Sequence, residues 1–126
     1  MIDRDNPQVA FALEAVQQAS RLVRIVQREL VTTALTKGDR SPVTVADFAS
    51  QALIGELISR RFPDMPLVAE ESSSALQAHS GKETLTQVTA FLQKLVPEAT
   101  PEQVCAWIDR GTAEPGESYW TLDPIG

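Results

Sequence analysis

The 126-residue sequence contains a single cysteine and a single histidine. One cysteine excludes an intrachain disulfide framework and a cysteine-rich zinc site, and one histidine argues against zinc sites of the common type. No apolar run approaches the roughly 20 residues that a membrane-spanning helix needs. The N-terminus also lacks the apolar segment of a secretory signal. We therefore expect a soluble, cytoplasmic protein that does not act at a membrane.

Basic residues are scarce as well. Lys and Arg together number 11 against 17 Asp and Glu, so the net charge is −6. No cluster of Lys and Arg is present, whereas a domain that binds a nucleic-acid polymer needs a basic face. Hydrophobic residues make up 43% of the sequence and charged residues 22%, which is typical of one folded domain with a core of its own.

Two long helices are predicted in the first half of the chain. An Asn-Pro pair begins the first helix, which runs to about Thr33–Leu35, and the polar segment 37–42 ends it. Its predicted apolar stripe consists of Val9, Leu13, Val16, Val23, Val26 and Leu30. The second helix is predicted to start at Thr44, with Asp47 in a Thr-x-x-Asp capping arrangement. Prolines end it after position 62.

The second half is predicted to alternate short strands with short helices. A Thr-Pro-Glu-Gln sequence at 100–103 has the residues of a capping box at the start of a helix. In chain order, the expected elements are a buried strand at 67–69, a loop at 72–82, a helix from about 85 to 95, the capped helix up to about 108, a linker at 111–118 and a strand at 119–122.

Acidic residues follow both predicted strands. Glu70 and Glu71 come directly after the first strand, and Asp123 comes directly after the second. If the strands are parallel neighbours, their carboxyl ends meet at one edge of the sheet and these carboxylates converge. Clustered carboxylates repel one another, so they favour a bound cation, and hard oxygen ligands suit Mg²⁺. Through Mg²⁺ an acidic protein can hold a phosphate substrate.

Each of these residues also has a simpler interpretation. A Glu-Glu pair after a strand is usually a solvated loop, and an Asp-Pro step such as that at Asp123 is usually a turn. Capping and the helix dipole account for Asp47. The serines at 72–74 favour a flexible loop, and His79 is expected to be exposed. Cys105 is expected to be a small core residue.

Three segments resemble the motifs of a known enzyme family. Segment 37–47 is similar to the Lys-x-Asp-x-Ser-Pro-Val-Thr-x-Ala-Asp segment of the Mg²⁺-dependent, lithium-sensitive phosphatases of the inositol monophosphatase superfamily. Segment 68–74, Val-Ala-Glu-Glu-Ser-Ser-Ser, resembles their Glu-Glu metal segment, and its serines resemble the 3'(2'),5'-bisphosphate nucleotidase branch. Segments 108–111 and 119–125 resemble the run into the Asp-Pro-Ile-Asp-Gly-Thr signature.

The resemblance implies a fold and a set of site residues. The implied fold is a layered α/β sandwich of the sugar-phosphatase type, of which residues 1–126 would be the N-terminal portion: two long helices, then strands and short helices. Two or three Mg²⁺ ions would bind to Glu70, Asp123 and the backbone carbonyl of Ile125. Asp47 would act beside the attacking water in a proton relay. The residues of a flap or near the substrate would be Lys37, Asp39, Ser41, Thr44, Glu71 and Ser72.

The implied reaction is in-line attack of a metal-activated water on the 3'-phosphate of adenosine 3',5'-bisphosphate, which gives AMP and belongs to sulfur metabolism. The sulfated form of this nucleotide is a second implied substrate. Within the superfamily, the alternative is an inositol-phosphate or other sugar-phosphate phosphatase. An alternative of another class is an inactive fragment that self-associates or docks on a partner through uncovered apolar faces.

The sequence departs from the signature at one position. The family has a second Asp after the isoleucine, whereas position 126 is Gly, and the Gly-Thr that completes the signature is absent. Further metal ligands of the family also lie outside the segment that the motifs cover. We therefore expect a chain truncated inside the signature, which is inactive by itself.

Overall fold

The computed structural model describes residues 6–37, 42–114, 116 and 118–122. The helices are α1 (Pro7–Lys37), α2 (Pro42–Arg61), α3 (Ser74–Gln77), α4 (Lys82–Leu92) and α5 (Pro101–Asp109), and a 3₁₀ turn spans His79–Gly81. The strands are β1 (Leu67–Val68) and β2 (Trp120–Thr121). Within these ranges no helix is long and apolar enough to span a membrane.

Helix α1 begins as predicted, and its buried face overlaps the predicted stripe in part: Val26 is buried and Val23 packs against the core, whereas the side chain of Leu30 lies outside the described residues. The side chain of Asn6 accepts hydrogen bonds from the backbone N–H groups of Gln8 (2.8 Å) and Val9 (3.4 Å), so it caps the helix. The predicted stripe is wrong in part, because Val16 is 62% exposed. The residues of α1 that reach the core are Phe11, Ala15, Leu22 and Val26. These residues are spaced by four and seven positions, so they form one continuous stripe. Helix α1 packs against α2 through this stripe.

Helix α2 lies at the centre of the fold. It contacts α1, α4 and α5, and for this reason it is buried around most of its circumference. Its core residues are Val45, Ala46, Phe48, Ala49, Ala52, Leu53, Ile54, Leu57 and Ile58. The helix begins at Pro42 and not at Thr44 as predicted, so Asp47 is its sixth residue. A residue that far inside a helix cannot cap the free N–H groups of the first turn.

The two strands pair in parallel, which is the condition set above for the acidic residues to converge. Leu67 lies opposite Trp120 and Val68 opposite Thr121, so each strand is shorter than predicted. Beyond the paired residues, the N–H of Leu122 donates to the carbonyl of Val68 at 3.0 Å. The described residues thus form a mostly helical structure around a small parallel sheet, which is compatible with part of an α/β fold.

The predicted loop at 72–82 is largely wrong, because α3 and the 3₁₀ turn occupy it. Leu76 is buried in the core and anchors this segment. Gly81 fits where no other residue does, since a Cβ there would lie 2.0 Å from the carbonyl oxygen of Ala75. Contacts distant in sequence therefore give this serine-rich segment a structure that its local propensity does not predict.

Helices α4 and α5 confirm the remaining helix predictions, although α4 begins and ends about three residues earlier than expected. The capping box of α5 is present in full. The N–H of Gln103 donates to Thr100 Oγ1 at 3.2 Å, and the N–H of Thr100 donates to Gln103 Oε1 at 3.1 Å. The start of α5 is therefore fixed by four consecutive residues of the sequence.

We predict that Thr100→Ala lowers the free energy of unfolding by about 1 kcal/mol, because the substitution leaves an N–H group at the start of α5 without its partner. Urea denaturation followed by far-UV circular dichroism measures this change. Thr86→Ala is the matched control, since Thr86 is exposed within α4 and its hydroxyl donates a hydrogen bond to the carbonyl of Lys82 in the same helix. A loss at Thr100 no larger than that at Thr86 would contradict a stabilising cap.

Candidate metal and phosphate site

Three carboxylates meet where β1 ends. Burial raises the pKa of Asp47 above its ordinary value, and the neighbouring charge of Glu70 raises it further. The pKa of Glu71 is raised by burial first, then by Asp47 and then by Glu70. Helix α2 supplies Asp47, and the segment after β1 supplies the Glu pair. The fold therefore holds three negative side chains close enough to repel one another, as the phosphate-site hypothesis expects.

One oxygen of Asp47 has no partner. Its Oδ1 is buried and accepts no hydrogen bond, although buried polar atoms are nearly always paired. Capping does not account for this carboxylate, because Asp47 lies beyond the first turn of α2. A cation, or a water bound to one, would satisfy a buried carboxylate oxygen in this position.

The segment that carries the Glu pair is held by a residue that the sequence analysis missed. The side chain of Gln51 is fully buried. Its Nε2 donates to the carbonyl of Glu71 and to that of Ile108, both at 2.7 Å, and its Oε1 accepts from the N–H of Glu71 at 3.0 Å. The available signal was an amide residue among the mainly apolar positions 45–58 of α2, one turn after Asp47.

The serine run is anchored from the other side. Asp109 accepts hydrogen bonds from the N–H of Ser73 at 2.8 Å and from its hydroxyl at 2.6 Å. The same hydroxyl accepts from Gln77 at 2.6 Å, and the hydroxyls of Ser72 and Ser74 lie 2.8 Å apart. The flexible-loop interpretation of these serines is therefore wrong. Ser72 directly follows the Glu pair and is partly exposed.

The other predicted site residues divide into two groups. Thr44 is half-buried on α2, one turn before Asp47, and Lys37 is the last residue of α1. The predicted residues outside the described ranges are Asp39, Ser41, Asp123 and Ile125. Away from the site, His79 is exposed as expected, whereas Cys105 is only partly buried.

The described residues fit part of a cation site. Their carboxylate oxygens are the ligands that Mg²⁺ prefers, and the unpaired oxygen of Asp47 lies among them. In the described ranges, however, no three Asp, Glu, His or Cys side chains are close enough to surround a metal ion. Glu70 follows β1 at the edge of the sheet where the parallel strand β2 also ends, whereas Asp123 lies outside the described residues. The fit is therefore that of an incomplete ligand set.

We predict that Asp47→Asn stabilises the metal-free chain, by an amount that grows as the pH rises. The raised pKa values of Asp47 and Glu71 mean that both carboxyl groups favour the folded state when protonated. This contribution is complete below their ordinary values of 3.8 and 4.5 and is lost as the pH rises through the higher folded-state values. Urea denaturation in EDTA at several pH values between about 4 and 7.5 measures the difference from wild type.

Glu98→Gln is the control for this prediction, since it removes one negative charge from an exposed position outside the site. It should give a difference from wild type that changes little with pH. If Asp47→Asn destabilises the chain by the same amount at every pH, the repulsion described above does not act in the folded state.

Comparison with known proteins comes from sequence similarity. No protein-family model matches the chain. The 3'(2'),5'-bisphosphate nucleotidase of Schizosaccharomyces pombe is 34% identical over 91% of the chain. The 3'(2'),5'-bisphosphate nucleotidase 2 of Candida albicans is 37% identical over 94%, and the probable 3'(2'),5'-bisphosphate nucleotidase 3 of Arabidopsis thaliana is 36% identical over 94%.

In each of these three relatives, the matched region covers 37% of the relative's own length. The chain thus spans little more than a third of the proteins that it matches. The matched regions cover 91% to 94% of the chain itself. The chain is related over almost its whole length to the 3'(2'),5'-bisphosphate nucleotidases, and the resemblance predicted from its motifs is confirmed.

Proposed function

We propose that the chain forms part of the active site of a Mg²⁺-dependent phosphatase that removes the 3'-phosphate of adenosine 3',5'-bisphosphate and gives AMP. The observation that carries the proposal is the buried Oδ1 of Asp47, which has no hydrogen-bond partner and lies near the charges of the Glu pair that follows a parallel strand. The names of the relatives supply the substrate class. The sulfated form of the same nucleotide is a second proposed substrate.

The proposed metal ligands are Glu70, Asp123 and the backbone carbonyl of Ile125, around two or three Mg²⁺ ions. Support comes from the parallel strand pair, because Glu70 and Asp123 each follow a strand at the same edge of the sheet. The bound ions would lower the pKa of a water molecule and stabilise charge on the leaving oxygen. The layered sandwich expected from the resemblance, lithium sensitivity, a cytoplasmic location and a role in sulfur metabolism are part of this proposal.

The chain's own residues have distinct proposed roles. Asp47 accepts a proton from the attacking water at Oδ1, the buried oxygen that has no protein donor. Glu71 adds negative charge next to Glu70, and its backbone is fixed, so it supports the ligand set without leaving its place. The residues proposed to form a flap or to lie near the substrate are Lys37, Asp39, Ser41, Thr44 and Ser72.

The rival proposal of an interaction module receives little support from the described surface. Val16 and Tyr119 are its exposed large apolar residues, 62% and 44% exposed. Single exposed apolar residues are normal on soluble domains and do not make a docking patch.

We predict activity for a chimera in which residues 6–122 of this chain replace only the residues of the S. pombe relative that align with them, so that the relative keeps its own residues at the positions of Asp123 and Ile125. It should release phosphate from adenosine 3',5'-bisphosphate only when Mg²⁺ is present. Asp47→Asn in the chimera should reduce turnover by about 100-fold or more, because it removes the proton acceptor. Steady-state phosphate release measures both quantities, and Glu98→Gln is the matched control, expected to retain full turnover.

A chimera that folds cooperatively but hydrolyses inositol 1-phosphate faster than the nucleotide would favour the sugar-phosphate alternative. A folded chimera without phosphatase activity would contradict the proposed function. Normal turnover of the Asp47→Asn chimera would contradict the role of Asp47 alone.

A further prediction separates Glu70 from Glu71. Glu70 is exposed at the end of β1, so its carboxylate is free to turn toward a cation, whereas Glu71 is half-buried with both its backbone groups bound to Gln51. In the chimera, Glu70→Gln should raise the Mg²⁺ concentration for half-maximal activity by roughly tenfold or more. Glu71→Gln, the matched control, should raise it less. An equal or larger effect at Glu71 would mean that the ligand assignment is off by one residue.

A further inference from the structure

The side-chain amide of Gln51 forms two hydrogen bonds with the backbone of Glu71, one with its N–H and one with its carbonyl. Its Oε1 accepts from the N–H of Glu71 at 3.0 Å, and its Nε2 donates to the carbonyl of the same residue at 2.7 Å. The second hydrogen of Nε2 goes to the carbonyl of Ile108 in α5, also at 2.7 Å. Three backbone groups from two separate segments therefore depend on one buried amide.

The surroundings of Gln51 leave it no alternative position. The residue is 0% exposed. A Cβ added at Gly111 would lie 2.5 Å from Gln51 Nε2 and 2.8 Å from the Cβ of Ala69. The N–H of Ala69 donates to the carbonyl of Gly111 at 2.8 Å. Glycine at 111 thus allows the chain after α5 to approach both the amide and the segment that leads to the Glu pair.

We propose that Gln51 is a positioning residue for the metal-binding carboxylates, an inference that rests on the proposed function. It contacts neither metal nor substrate. It fixes the peptide at Glu71, and so the backbone that carries the Glu pair, relative to Asp47, which lies one helical turn before Gln51 on α2. Without the amide, the segment would be free to move so that its carboxylates separate and their repulsion decreases.

The test uses the 126-residue chain with Mn²⁺ as the probe, because Mn²⁺ binds to the same oxygen ligands as Mg²⁺ and broadens nearby NMR signals. Gln51→Met keeps the length and volume of the side chain and removes all three hydrogen bonds. We expect the Glu71 amide to exchange its hydrogen at least ten times faster than in wild type. The Ser73 amide, which donates to Asp109, should retain its exchange rate.

The Mn²⁺ midpoint is the concentration at which the amide signals of Glu70 and Glu71 have lost half their height. It should rise about tenfold in Gln51→Met, because loss of a residue that orients metal ligands typically weakens metal binding by about this factor. Val104→Ala is the control for lost stability, since Val104 is a buried residue of α5. It should leave the Mn²⁺ midpoint unchanged. If Gln51→Met fails to fold, Gly111→Ala displaces the amide by steric contact instead and should raise the same midpoint.

The outcomes separate the two proposals. If the wild-type chain responds to Mn²⁺ and a folded Gln51→Met or Gly111→Ala chain responds in the same way, the positioning role is wrong. The proposed metal site is then still supported. An equal shift in Val104→Ala also overturns it, because lost stability would then explain the effect. A wild-type chain whose Glu70 and Glu71 signals do not respond to Mn²⁺ overturns the proposed metal site and, with it, this inference.

Discussion

The buried amide of Gln51 joins the central helix to the end of β1 and to α5, and the arrangement of these three elements depends on it. Gln51 pairs three backbone groups: the carbonyl of Ile108 in a buried hydrogen bond and both groups of Glu71 in partly buried ones. A buried backbone group without a partner costs about 1–3 kcal/mol, which is a sizeable fraction of the roughly 5–15 kcal/mol by which domains are stable. An apolar side chain would fill the same volume but would leave all three groups unpaired, so the position requires an amide.

That anchoring matters because the segment it holds is under electrostatic repulsion. Burial and the charge of Glu70 raise the pKa of Asp47, and burial with the charges of Asp47 and Glu70 raises the pKa of Glu71. Left to local forces, the segment after β1 would move outward into water. Gln51 on one side and Asp109 on the other prevent this by binding its backbone at Glu71 and Ser73. The fold thus accepts a local loss of stability, as functional sites often do.

The sequence predicts those features that depend on neighbouring residues. The capping box at Thr100 follows from four consecutive residues, and the two strands follow from two short apolar runs, although the sequence left the direction of their pairing open. The buried face of α1, the helix over 74–77 and the amide clamp follow from packing between distant segments, which local periodicity does not encode. Val16 illustrates the difference: it fits the helical period yet remains exposed, because α2 meets the adjacent face. Gln51 carried a signal, a polar residue in an apolar stretch, but its partners lie 20 and 57 positions away.

The position of Asp47 decides between the structural and the chemical interpretation of the acidic cluster. Capping accounts for the residue only if α2 begins at Thr44, but α2 begins at Pro42 and Asp47 falls in its second turn. There its buried oxygen accepts no hydrogen bond, and the charge of Glu70, which raises its pKa, has the same sign. Stability alone would favour a neutral residue at this place. A docking module has no use for such a group, whereas phosphoryl transfer through cations requires carboxylates held together in this way.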